Sequence, residues 1–224
     1  MFGKKSKKCK APKVSENLKL VYWPIKARAF AIRMLLAAAD AKYENEFVTD
    51  KAVWGETKAQ LQKDTEFGAY ANLPYLVDGD QTLYESMAIL RYVARAFGFF
   101  ANEGKAAVAQ DIFENVLQDI MSAVPKARFG PNPKEDLEAW AKNYAKWEGI
   151  NAALSKSKFL TGDSVNYVDF LALNYLDIMV EWSSDIYEKY ENIARFKKDL
   201  LATSESLAEY YKSVEQVPCV PPLE

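Results

Sequence analysis

The residues whose types bear on chemistry fall at three points in the first hundred positions. Tyr22 closes a strand-like run, "LKLVY", Leu73-Pro74 stands directly before a second, "YLVD", and Glu85-Ser86 opens a helical segment, "ESMAILRYVARAF". A proline at a strand entrance leaves neighbouring backbone groups without a ladder partner, and a cis Leu73-Pro74 bond would turn them outward. Residue 73 would then hold an extended, peptide-like ligand by its main-chain N–H and C=O, in the manner of strand addition. An ordinary edge-strand proline is the plainer alternative. At Glu85-Ser86 the helix start presents free N–H groups and a positive dipole end to a carboxylate, while Glu85 would accept an ammonium. Together they would read an amino-acid head group, although Ser86 also suits a simple helix cap. A phenol of pKa near 10 stays protonated at neutral pH, so Tyr22 would donate a hydrogen bond that favours an anion such as a thiolate. A strand tyrosine otherwise serves as core.

Composition removes most other chemistries. The chain has no histidine, which excludes Ser-His and Cys-His nucleophiles, imidazole bases and His-ligated zinc together. Its two cysteines, Cys9 and Cys219, lie near opposite ends in segments that read as loose, against a disulfide framework or a thiolate metal site, and no metal is expected. The 224 residues, half of them hydrophobic, suffice for one good core or two small ones. There is no apolar run of the ~18 residues a membrane span needs and no signal-peptide-like segment, so a cytoplasmic protein is expected. Residues 1–17 hold six of the 29 basic residues and one of the 31 acidic ones, leaving 23 basic against 30 acidic in the rest. An acidic body argues against nucleic-acid binding. The Lys-rich N-terminal arm reads as a solvated, disordered segment, with docking to a protein partner or membrane as the sharper reading.

The elements that must position these residues follow from periodicity. "LKLVYW" alternates as a strand, "KARAFAIRMLLAAADAKY" carries apolar residues at helical spacing, and "YENEFVT" reads as a second strand, a βαβ unit. "PYLV" and "QTLY" flank Asp78-Gly79-Asp80 as a hairpin, and a helix capped by Ser86 follows. The expected fold is α+β over residues 18–98, a thioredoxin-like domain of order βαβ then ββα. An all-helical domain over 104–213 comes next, with helices near 105–127, 134–158, 167–183 and 190–213. Asn166-Tyr167-Val168-Asp169 offers a capping box for a buried helix, and residues 214–224 read as an extended tail.

Thioredoxin-like domains that do redox work carry Cys-x-x-Cys after the first strand; this chain reads "YWPIKARA" there, so the thiol must come from the ligand. "VYWPIKARAFAIRMLL", "NLPYLVDGD" and "ESMAILRY", with "DIFENVLQDI" and "NYVDFLALNYLDIM" further on, resemble the cytosolic glutathione transferases, most closely the tyrosine-type mu and sigma classes. The resemblance runs from residue 18 to about 210.

It implies glutathione as co-substrate, a homodimer, and a role in detoxification. It also implies roles for individual residues. Tyr22 would activate the glutathione sulfur beside Trp23, Leu73 would hold the cysteinyl backbone with Pro74 cis, and Asn72 would add a polar contact. Glu85 and Ser86 would take the γ-glutamyl end, Trp54 and Lys58 the glycine carboxylate, and Asp119 would reach the amine across the dimer. Departures from the family pattern are Lys26-Ala27 where Arg-Gly is common, and Arg28 where mu enzymes tend to have an apolar wall. The implied activity is attack of the thiolate on a small hydrophobic electrophile. A sigma-like isomerase or peroxidase, and a non-catalytic scaffold subunit, stand as alternatives.

Overall fold

The computed structural model describes residues 12–221 apart from Ser184. The lysines of residues 4–10 in the expected docking arm, and Cys9 with them, lie outside the described residues. The chain is anchored before its first strand: the Ser15 N–H donates to Asp78 Oδ1 at 2.6 Å, and the Tyr92 hydroxyl donates to Oδ2 of the same carboxylate at 2.6 Å.

Strand β1 (Leu18–Tyr22) is buried on both sides apart from Lys19, as a central strand of β-favouring residues should be. Helix α1 (Phe30–Ala38) comes next, and β2 (Glu44–Phe47) returns parallel to β1 with Tyr22 opposite Phe47. The Asp50 carboxylate caps α2 (Lys51–Asp64), accepting the Ala52 N–H at 2.7 Å, and no residue of this helix is buried. β3 (Tyr75–Asp78) runs antiparallel to β1, turns at Gly79 with φ +63°, and pairs with β4 (Gln81–Leu83). The sheet order β2-β1-β3-β4 is the thioredoxin-like arrangement, and α3 (Ser86–Phe97) covers it beside α1. Ser86 does not cap α3 as expected. It is the first helical residue; Glu85 holds the cap position at φ +67° and no side chain accepts from the first turn. The positive φ of a non-glycine residue is a conformation that only surrounding structure can impose.

The second half is helical: α4 (Gly104–Met121), α5 (Val124–Arg128), α6 (Pro133–Ala141), α7 (Ala145–Leu154), α8 (Tyr167–Trp182), α9 (Ile186–Lys189), α10 (Glu191–Leu201) and α11 (Glu205–Ser213). Three segments that periodicity reads as continuous are broken, because the apolar stripe carries across a turn whose local signal is small. Pro125 sits in the first turn of α5, where its missing N–H is harmless but prevents continuation from α4. The Ser204 hydroxyl accepts the Leu207 N–H and restarts the chain as α11.

α8 is the core helix, buried from Tyr167 to Met179, and its start is built as the capping box implies. Asn166 Oδ1 accepts the Val168 N–H at 3.3 Å, and Asp169 Oδ2 accepts the Asn166 N–H at 2.7 Å while its Oδ1 accepts the Leu160 N–H at 2.9 Å. Burial pushes the Asp169 carboxyl up to about 7 against the pull of those two donors. The two halves are clamped at Glu114 on α4. Arg91 of α3 meets it with two hydrogen bonds, the Nε one at 2.7 Å, and the Tyr167 hydroxyl donates at 2.5 Å. Burial alone would raise Glu114; Arg91 and Tyr167 hold it below the usual carboxylate value.

Residues 214–221 do not trail away. Cys219, which reads as part of a loose end, is 4% exposed, and its N–H donates to Glu181 Oε2 at 2.8 Å. Its partners lie across the fold, so nothing local marks it.

Asp169→Ala removes the acceptor of two buried N–H groups and is expected to cost about 2–5 kcal/mol of stability. Denaturant unfolding measures it, and a loss under about 1 kcal/mol would mean that water replaces the carboxylate.

Candidate functional site

Period-two alternation puts Tyr22 on the same face of β1 as Leu18 and Leu20, and it is 5% exposed at the strand's end. The loop that leaves the strand there is held from several sides. Arg33 Nη1 of α1 donates to the Ile25 oxygen at 2.8 Å, the Lys26 N–H donates to Pro218 O at 2.9 Å, and the Ala27 N–H donates to Cys219 O at 2.8 Å. Asn174 of α8 closes the fourth side, its Nδ2 donating to Ala27 O at 3.0 Å. Lys26 is itself buried, with its ammonium 3.8 Å from Asp177, whose other oxygen accepts the Tyr211 hydroxyl at 2.5 Å.

The loop is strained where a glycine would not be: Ala27 stands at φ +32°. The next residue, Arg28, brings its backbone N–H close enough to the Tyr22 hydroxyl to favour the ionised form. Burial raises the Tyr22 phenol above its ordinary value; that N–H and the charges of Arg28 and Arg33 oppose it. Tyr22 is therefore a protonated phenol, able to donate, at neutral pH. Arg33, 3% exposed, lies behind the ring with its guanidinium 5.8 Å from the ring centroid. Its hydrogen bonds go to neutral acceptors, Ile25 O and Asn45 Oδ1, and Nη2 has none. Its charge is thus left uncancelled beside the phenol.

Tyr22 opens into a cavity of about 600 Å³ between the two halves, within the range of small-molecule sites. Apolar side chains from the first loop (Trp23, Ile25), α3 (Met87), α4 and α5 (Met121, Val124) and α8 (Leu171, Ile178) make most of its wall. Val220 and Pro221 close one side, tied to α5 by Arg128 Nε donating to Pro221 O at 2.8 Å. Polar groups are few. Tyr175 of α8 receives a hydrogen bond from Gln118 Nε2 at 3.3 Å, and burial pushes its phenol up to about 12.

Among the residues singled out by sequence, Tyr22, Trp23, Ser86 and Asp119 line this cavity. Leu73 and Pro74 are buried at the entrance to β3, and the Leu73-Pro74 peptide is cis. The Leu73 N–H is taken by the Asn72 side chain, Oδ1 accepting at 3.0 Å. Glu85 is exposed at the head of α3. Trp54 and Lys58 stand one turn apart on α2, and the indole stacks on Tyr75 with ring centroids 6.2 Å apart. Asp119 is exposed and ion-paired with Lys146 of α7. The pieces thus gather around one end of β1, with Trp54, Lys58, Asn72, Leu73, Pro74 and Glu85 outside the cavity wall itself.

Models of the glutathione S-transferase N-terminal and C-terminal domains match residues 16–95 and 112–203. The chain belongs to the glutathione S-transferase family. Among its relatives are Glutathione S-transferase Mu 4 of Rattus norvegicus, 30% identical over 200 residues (84% of this chain, 86% of the relative), and Glutathione S-transferase Mu 1 of Bos taurus, 30% identical over 210 residues (89% and 92%). The glutathione S-transferase Blo t 8 superposes with TM-score 0.77 at 30% identity, covering 91% of this chain and 97% of that one. A pi-class glutathione S-transferase of Onchocerca volvulus, 23% identical with TM-score 0.78 over 91% of this chain and 97% of that one, shares the fold.

Sequence reasoning missed the parts of this transferase-family site that come from afar: Asn174, Gln118, Tyr175 and the segment 218–221. Arg33 had a local signal, since a cation in the apolar stripe of "FAIRMLL" must be buried with a purpose. Ending the chain at Gln216 removes the acceptors of the Lys26 and Ala27 N–H groups. Their amide exchange is expected to quicken by about tenfold or more in hydrogen-exchange mass spectrometry; unchanged protection would mean the loop stands without the C-terminal segment.

Proposed function

We propose that the protein is a glutathione transferase in which Tyr22 stabilises the thiolate of bound glutathione for attack on an electrophile held in the apolar cavity. The observation that carries the reading is the state of Tyr22. Its hydroxyl is buried and held protonated, has no protein acceptor among the described hydrogen bonds, and opens into a cavity that also holds Ser86 at an uncapped helix start. The phenol hydrogen is therefore available to a ligand there. Each unit by which it lowers the thiol pKa is about 1.4 kcal/mol of preference for the thiolate. Arg33 behind the ring and Arg28 beside it strengthen the donor without competing for the proton.

The remaining roles run outward along the tripeptide. The free N–H groups of the first turn of α3 and the Ser86 hydroxyl suit the γ-glutamyl carboxylate, and Glu85, exposed beside them, suits its ammonium. Leu73 offers its main chain to the cysteinyl unit once its N–H is released by Asn72. Trp54, held on Tyr75, and Lys58 would take the glycine carboxylate, while Trp23 would shape the sulfur end. A homodimer is the assembly the family resemblance implies, and a contribution of Asp119 to the partner subunit's site would have to break its pair with Lys146. A cytoplasmic, detoxifying role completes the reading.

Calorimetric titration with reduced glutathione at neutral pH is expected to show saturable binding near one per subunit; no binding up to several millimolar would mean the fold is retained for its shape. In Tyr22→Phe, binding should persist while the pKa of the bound thiol rises and turnover falls roughly a hundredfold, about 3 kcal/mol of transition-state stabilisation. Turnover equal to the wild type would take Tyr22 out of the mechanism.

A further inference from the structure

Lys26 is an unusual residue for the loop that leaves β1. It stands four positions after Tyr22 and two before Arg28, yet its side chain turns inward, the ammonium 3.8 Å from Asp177 Oδ2 and 5.3 Å from the centroid of the Phe30 ring. Among the described ion pairs it is the one whose side chains are both at most 10% exposed, and lysine and aspartate are seldom buried so far unless paired. Asp177 is itself fixed from several sides. It lies on α8 one turn beyond Asn174, whose side chain holds Ala27 O, so one face of that helix takes both the carbonyl of Ala27 and the ammonium of the residue before it. Its other oxygen accepts the Tyr211 hydroxyl of α11 at 2.5 Å and lies 3.8 Å from the Lys197 ammonium of α10. Burial pushes the Asp177 carboxyl up, with Glu181 adding to it; Tyr211, Lys197 and Lys26 pull the other way. Three helices thus hold the carboxylate that holds Lys26.

What Lys26 holds in turn is the approach of Arg28 to Tyr22. Burial disfavours ionisation of that phenol, and the groups opposing it are the Arg28 N–H and the charges of Arg28 and Arg33. Two of those three belong to a residue whose side chain is exposed, and Ala27 before it stands at φ +32°, which a residue with a Cβ keeps only under restraint. An ion pair restrains differently from the backbone hydrogen bonds on the same loop. Neutralising Asp177 strands a buried ammonium, and the loop relieves that by letting Lys26 swing to water, a movement that carries Ala27 and Arg28 with it. A phenol left farther from the N–H and the cation is less acidic and a weaker donor. We infer that Asp177 is a positioning residue for the site at Tyr22: through Lys26 it holds the loop so that Arg28 stays beside the phenol. Neither Asp177 nor Lys26 belongs to the cavity wall, so the effect on bound glutathione, which rests on the transferase reading above, is exerted through the loop.

Two measurements on the full chain test this, one of them independent of glutathione. In hydrogen-exchange mass spectrometry, Asp177→Asn is expected to quicken exchange across residues 25–28 about tenfold. In ultraviolet titration of the thiolate of bound glutathione, the same variant should raise the thiol pKa by about one unit, with the KM for glutathione changed less than about twofold. Adding Lys26→Met removes the stranded charge, so the double variant should recover most of both losses. A double variant no better than Asp177→Asn would mean that Asp177 acts through Tyr211 and Lys197 instead, and overturns the inference. Lys26→Glu approaches from the loop side: facing Asp177 it should be driven outward with the same two effects, while Lys26→Arg stays near the wild type. Wild-type exchange in Lys26→Glu overturns the inference whether or not Asp177→Asn folds. A wild type that binds no glutathione would sink the transferase reading, and the exchange measurements would then decide the role of Asp177 alone.

Discussion

The hold on one loop governs this site. The loop that leaves Tyr22 is fixed at residues 25–27 from four directions: Arg33 of α1, Asn174 of α8, and Pro218 and Cys219 of the returning C-terminal segment. Each bond is worth about 1 kcal/mol, and together they keep Ala27 at a φ that a residue with a Cβ does not choose. The loop beside the Tyr22 hydroxyl is thus positioned by groups up to 192 positions away along the chain.

The same loop organises the electrostatics. Arg33 behind Tyr22 and Arg28 in the cavity are both cations without a carboxylate partner among the described residues. Arg28 is exposed, whereas Arg33 is buried, where a cation is normally paired; leaving Arg33 unpaired makes the neighbourhood of Tyr22 favourable to anions. The uncapped start of α3 adds unsatisfied N–H groups on the same side of the sheet. A fold that forms such a region must hold it rigidly elsewhere, and the clamp of Arg91, Glu114 and Tyr167 between the halves does so. The capping box at Asn166 then sets the entry of α8, from which Asn174, Tyr175 and Ile178 reach the loop and the cavity.

The C-terminal segment closes the arrangement. Its backbone carbonyls satisfy Lys26 and Ala27, its Cys219 N–H is taken by Glu181, and its Val220 and Pro221 form a wall of the cavity. One short stretch therefore serves both as brace for the loop beside Tyr22 and as a wall of the cavity.

Much was legible from local pattern. Alternation marked β1, Asp78-Gly79-Asp80 marked the hairpin, and Asn166 with Asp169 marked the start of the core helix, because strand alternation, turn chemistry and capping are set by residues a few positions apart. The motifs at Tyr22, Leu73-Pro74 and Glu85-Ser86 were legible for the same reason, and the resemblance they carry agrees with the family match. The features that stayed hidden were decided by contact between distant segments. Ser86 reads as a cap, yet the chain enters α3 through Glu85 at positive φ; Cys219 reads as loose, yet its backbone is consumed by a loop near the other end. Periodicity likewise runs through Ser122-Ala123 and Ala202–Ser204, where the helices break. Local residue types determined which family this protein belongs to, and tertiary structure alone decided how the loop beside Tyr22 is held and which charges surround the phenol, because hydrogen bonds between remote backbone groups leave no pattern in the order of side chains.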